Sequence, residues 1–153
     1  MRPSRDLFFE DLAVGQRYET AGVAVSEADI IAFARQFDPQ YFHVDPAAAA
    51  KSAFGGLVAS GLQTLALTMR LFFDLNLWER AIVGSPGLDH VRWLVPLRPG
   101  DNIRSVVEVV AVERSRSKPD RGIVSTAHRL FNQHDQVIFT VTCLHLVLAR
   151  AGG

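Results

Sequence analysis

From Ile82 to the C-terminal end the chain strings together "GLDHVRWLVP", "DNIRSVVEVVAVERS", "GIVSTAHRLFN" and "QVIFTVTCLHLVLA", with no helical stretch between them. These runs are rich in Val, Ile and Thr and are separated by Pro, Gly and polar turns, as strands are. "FNQHDQV" reads as a hairpin turn, and an earlier strand, about Gln16 to Val25, precedes the first helix. Helices followed by uninterrupted strands define an α+β chain, an antiparallel β-sheet wrapped on one long helix.

Two helices and a short helical turn are expected before the strands. In "SEADIIAFARQF", Ser26 as N-cap and Asp29 three residues on resemble a capping box, and Ile30, Phe33, Ala34 and Phe37 share one face. The helix runs from about Glu27 to Phe37, because Pro39 disfavours α geometry at Asp38. Asp45 and Pro46 are N-cap and first position of a short helix through "PAAAAK", so Asp38 and His43 bracket a connecting loop. After the "FGG" breaker, Ser60 as N-cap with Gln63 opens a helix of about four turns, dominated by Leu62, Leu65, Ala66, Met69, Phe72 and Phe73. It is the expected central core helix.

A chain of 153 residues makes one domain, residues 1–153, with no internal repeat or linker. Sixteen basic residues against sixteen acidic ones give no long-range attraction to nucleic acid or anionic lipid. The uncharged interval Ser52–Met69 contains Gly55, Gly56, Gly61, Ser60 and Gln63, so it reads as a buried loop and helix, not a membrane span. A single cysteine, Cys143, excludes an internal disulfide and fits a reducing compartment, the cytoplasm by default. Acidic residues in "MRPSRDLFFEDL" stand where a signal peptide would place its apolar stretch, so secretion is not expected.

"FARQFDPQYFHVDPAAAAKSAFGGLVASGL" and "VRWLVPLRPGDNI" together resemble the MaoC-like, or hydratase 2, branch of the hotdog-fold proteins, which includes (R)-specific enoyl-CoA hydratases. The resemblance implies that Asp38 and His43 form the catalytic pair and that Gly61 supplies a backbone N–H to a thioester oxygen. The family's hydratase motif reads Gly-Asp-any-Asn-Pro-aliphatic-His, whereas this chain has Phe37-Asp38-Pro39-Gln40-Tyr41-Phe42-His43, with Ser60 where a His commonly precedes the glycine. The implied reaction is reversible addition of water to a trans-2-enoyl-CoA or related enoyl thioester, giving the (R)-3-hydroxyacyl thioester. It needs no redox or metal cofactor, and coenzyme A enters only as part of the substrate. The resemblance also implies a homodimer or larger assembly of the chain.

Hydration needs a base for water at C3, an acid at C2 and stabilisation of charge on the thioester oxygen. An aspartate and a histidine supply the first two, and the N-terminus of the central helix, with glycine permitting close approach, supplies the third. Ser60 and Phe54 are candidate substrate contacts. In "ERSRSKPDRG", Arg116 and Lys118, with Arg114 and Arg121, are candidate phosphate contacts, set against the reading of a solvated turn. His128 and His145 fall in strand patterns as packed or surface residues, His90 near a strand start, and none has a zinc-ligand spacing. Arg70 and Asp74, four apart, form a partner pair, and Trp93 with Phe54 lines an acyl tunnel or simply core. Two other functions share this frame: a hotdog thioesterase, which directs water at the thioester carbonyl, and a non-catalytic acyl-thioester-binding subunit.

Overall fold

The computed structural model describes residues 5–151; residues 1–4, part of the N-terminal stretch considered above, and 152–153 lie outside the described residues. Strands β1 (Arg17–Glu19), β2 (Val23–Ala24), β3 (Ile82–Trp93), β4 (Asn102–Arg114), β5 (Arg121–Phe131) and β6 (Val137–Leu148) form one sheet. Its order is β1-β4-β5-β6-β3 with β2 also on β4, and every pairing is antiparallel. Helices α1 (Glu27–Phe37), α2 (Tyr41–Val44), α3 (Pro46–Ala50) and α4 (Gly61–Phe73) precede the long strands. This is the expected α+β architecture with α4 against the sheet.

Three local expectations are corrected. The strand over Gln16–Val25 is divided into β1 and β2, because the Thr20 hydroxyl takes the Ser105 N–H at 2.8 Å and interrupts the ladder. Strand β3 begins at Ile82, five residues before Gly87; Gly84, Pro86 and Gly87 hide it in the sequence, and register shifts at this edge accommodate them. The capping box at α4 is half made: Ser60 Oγ accepts from Leu62 N at 3.2 Å, but Gln63 turns away and its Nε2 donates to the Asp29 carbonyl. By contrast, Ser26 accepts from Asp29 N, and Asp45 accepts from Ala47 N and Ala48 N, as their positions predict.

The buried face of α4 carries Gln63, Thr64, Thr68, Leu71 and Phe72. Leu62, Ala66 and Phe73, expected in the core, are exposed, and Met69 between them is half-buried. A helix that is apolar almost all round does not declare from sequence which face meets the sheet. The sheet's inner face explains the choice, because it too is partly polar: Ser105, Thr126, His128 and His145 are buried among Val107, Val109, Val124 and Val147.

His128 and His145 are therefore packed, and Thr126 Oγ1 lies 2.7 Å from His128 Nε2 and 2.9 Å from His145 Nε2. A hydroxyl has one proton, so it donates to one ring and accepts from the other. His145 Nδ1 faces Cys143 Sγ at 3.9 Å, and His128 Nδ1 finds no partner among the described residues. Burial pushes His128 down to about 3, helped by the charge His145 would carry, and burial pushes His145 down to about 4. Both rings are neutral at physiological pH. No helix among the described residues is long and apolar enough to cross a membrane.

Candidate active site

Helix α1 stops at Asp38, whose backbone N–H closes the last turn on the Ala34 carbonyl while Pro39 forces extended geometry onward. The chain turns at once: Gln40 N–H donates to the Asp38 carbonyl, and His43 N–H donates to the Gln40 carbonyl. His43 thus sits on the one-turn helix α2, not on the open loop expected. The turn brings His43 Nε2 to 3.3 Å from Asp38 Oδ2.

His43 Nδ1 lies 2.6 Å from the Val58 carbonyl, an acceptor only, so Nδ1 carries a proton and Nε2 is the atom left to exchange one. Asp38 Oδ2 also accepts from Ser60 Oγ at 2.7 Å, and Oδ1 accepts from Gln40 Nε2 at 2.8 Å. Partial burial raises the Asp38 carboxyl, but the Ser60 and Gln40 hydrogen bonds and the neighbouring His43 outweigh it and hold the group below its usual range. Asp38 is therefore a carboxylate at neutral pH. Ser60 is fully buried and, besides capping α4, fixes the carboxylate it touches, which is a different task from the substrate contact expected of it.

His43 opens into a cavity of about 320 Å³ lined by Phe42, Phe54, Ala59, Gly61, Trp93 and Leu97, among others. That lies within the range of small-molecule sites, roughly 300 Å³ and above. Phe54 and Trp93 both line it and are partly exposed, so neither is plain core. Gly61 occupies the first turn of α4, where backbone N–H groups lack intrahelical partners. The Trp93 indole N–H donates to the Gly61 carbonyl at 2.9 Å, and a Cβ on Gly61 would meet the Trp93 ring at 2.8 Å. Glycine is required there by the close approach.

The basic turn is not brought to this cavity within one chain. Trp93 aligns with Phe139, Leu130 and Ser105 across the sheet, whereas Arg114 aligns with Gly122 at the opposite end. The nine steps from Ser105 to Arg114 span about 30 Å along the strand at roughly 3.3 Å each. Arg116 lines a separate depression of about 420 Å³ with Glu113, Arg114, Ser115 and Ile123, and Lys118 N–H donates to Ser115 Oγ. Arg114 and Arg121 pair with Glu10 and Asp120. Arg70 and Asp74 form the expected exposed pair at 2.8 Å. Sequence reading missed the Val58 carbonyl, which no side chain advertises, and Gln40, which looked like a loop filler.

A helix laid against a wrapped antiparallel sheet defines a hotdog domain, here with an Asp–His pair beside the helix's glycine N-terminus, and comparison with known proteins agrees on the fold. Residues 10–129 match the sequence model described as MaoC like domain, and the chain belongs to that family. It is 33% identical over 130 residues to the uncharacterized protein YdeM of Bacillus subtilis, covering 85% of this chain and 91% of that one. It is 32% identical over 106 residues to 3-hydroxyacyl-thioester dehydratase Z of Mycobacterium tuberculosis, covering 68% and 70%. The fold superposes on the MaoC-like dehydratase from Rhodospirillum rubrum with TM-score 0.85 and 42% identity, covering 94% of this chain and 98% of that one. It superposes on the (R)-hydratase from A. caviae with TM-score 0.69 and 27% identity, covering 90% and 97%.

Proposed function

We propose that this chain is a hydro-lyase that reversibly adds water to a trans-2-enoyl thioester to give the (R)-3-hydroxyacyl thioester, with coenzyme A as the carrier. The observation that carries the reading is the Asp38–His43 pair at 3.3 Å, with His43 lining the same cavity as Gly61. One group is an anion that its hydrogen bonds favour; the other has one ring nitrogen held by a carbonyl and one facing that anion. Together they hold a water for attack at C3. The water oxygen bonds to C3, the C2–C3 π electrons move onto the thioester oxygen, the pair takes the water proton, and a proton is returned to C2. The Gly61 N–H and the positive end of α4 stabilise the enolate oxygen formed on the way. Atoms balance without electron transfer, so the reaction calls on no redox group.

The working unit is a homodimer or larger assembly in a reducing compartment, the cytoplasm. Leu62, Ala66, Met69 and Phe73 make one stripe along the outward face of α4, with Leu62 50% and Phe73 57% exposed. Strand β3 is a free sheet edge bearing exposed Val83, Leu88 and Trp93. A second copy covers both features at once.

The test follows loss of the conjugated-thioester absorbance of crotonyl-CoA and longer trans-2-enoyl-CoAs, beside a free-thiol assay, for wild type and Asp38→Asn. Absorbance loss without thiol that vanishes in Asp38→Asn is the expected result. Thiol release would replace hydration by thioester hydrolysis, and no turnover at any chain length would leave an acyl-binding subunit.

A further inference from the structure

The cavity beside Asp38 and His43 has room for an acyl thioester, about 320 Å³, but not for the nucleotide that carries it. The arm of the carrier must leave through the mouth, and its phosphate must rest on the rim. Phe54 forms part of that rim, on the turn Ser52–Gly56, where Gly55 takes the left-handed φ of +68°. Arg98 follows Leu97, a cavity-lining residue, and reaches this turn: its Nη2 donates to the Phe54 carbonyl at 2.7 Å.

That guanidinium is exposed and has no carboxylate partner among the described residues. The nearby Asp101 carboxylate accepts instead from the Arg98 backbone N–H at 2.9 Å and from Gln133 Nε2. A guanidinium carries five N–H donors in a planar fork suited to phosphate, and here only one is committed to protein. Lys51, also exposed, stands at the start of the same turn and adds positive charge. Arg104, Arg114, Arg121 and Arg150 are, by contrast, all neutralised by carboxylates.

We propose that Arg98 binds the phosphate of a phosphopantetheine thioester at the mouth of the Asp38–His43 cavity. The assignment rests on the enoyl-thioester reading and replaces the basic turn at Arg116 and Lys118 as the phosphate contact within the chain. The phosphate is common to coenzyme A and to a phosphopantetheinylated carrier protein.

Steady-state kinetics of wild type, Arg98→Ala, Arg98→Gln and Arg116→Ala test it with crotonyl-CoA, the crotonyl carrier-protein thioester and the crotonyl N-acetylcysteamine thioester, which has no phosphate. Both Arg98 variants should raise KM for a phosphate-bearing thioester about tenfold with kcat held within about twofold, and the loss should be absent on the truncated thioester. Gln retains a donor for the Phe54 carbonyl, so agreement between the two variants separates lost charge from a disturbed turn. A loss on both phosphate-bearing substrates assigns the shared phosphopantetheine phosphate; a loss on one identifies the carrier. Equal losses on all three thioesters, or a KM effect that follows Arg116→Ala instead, would overturn the assignment. If wild type turns over none of them, the hydration reading fails, and calorimetric titration of coenzyme A still decides: about tenfold weaker binding in Arg98→Gln supports the phosphate site, and unchanged affinity removes it.

Discussion

The chain holds two histidine constellations with opposite surroundings. His43 faces an anion, with its far nitrogen pinned to a carbonyl and its near one beside a cavity. His128 and His145 share a threonine hydroxyl under α4, ringed by Phe72 and Trp78 at centroid separations of 5.0–5.3 Å, with no carboxylate in the arrangement. Burial alone does not make a histidine reactive. A proton-transfer site needs a charged partner and an opening; without them the same ring becomes a neutral wedge in the core.

The comparison breaks most readily at its active half. Asp38→Asn and His43→Ala should each lower kcat on crotonyl-CoA by about 100- to 10,000-fold while the assembly and circular dichroism spectrum persist. Wild-type rates in either variant would remove the distinction between the two sites.

The buried half shows in acid. Folded His128 and His145 titrate at about 3 and about 4, against 6.5 when exposed. Their folded values are lowered, so below 6.5 the unfolded chain takes up protons that the folded chain refuses, and stability falls as pH drops toward 4. The loss should reach several kcal/mol, on the order of one per pH unit for each ring. Denaturant melts at a series of pH values check it, and His128→Phe should make that slope shallower without moving the pH profile of kcat.

Ser60→Ala tests the link between α4 and the carboxylate. Removing its hydrogen bond should move the Asp38 titration upward and shift the acid limb of kcat/KM toward higher pH, with about a tenfold loss of kcat. A parallel loss at every pH would mean that Ser60 serves only the helix cap. The smallest effect belongs to Thr126→Val, which strips the hydroxyl between the buried rings and should cost about 1–3 kcal/mol of stability with kcat unchanged.

The long strands, α1, α4 and the closeness of Asp38 to His43 were legible because periodicity, capping residues and turn chemistry are local properties of sequence. The inward face of α4 was not, since Leu62 and Phe73 are as apolar as Leu71 and Phe72, and only the polar inner sheet decides between them. The place of the basic turn was hidden for a related reason: Arg116 and Lys118 are grouped in sequence, and the β4–β5 hairpin carries them to the far end of the sheet. Arg98 went unnoticed because its meaning depends on the Phe54 carbonyl, 44 residues away in the chain. Local chemistry is written locally; which end of the fold it serves is not.

The central claim, that Asp38 and His43 join water to a carbon–carbon double bond, is tested most directly by NMR of the product formed from crotonyl-CoA in D2O. The account predicts 3-hydroxybutyryl-CoA with R configuration at C3 and one deuterium at C2, formed by wild type and not by Asp38→Asn. Free crotonate with coenzyme A, or the hydrated product from Asp38→Asn at the wild-type rate, would contradict it.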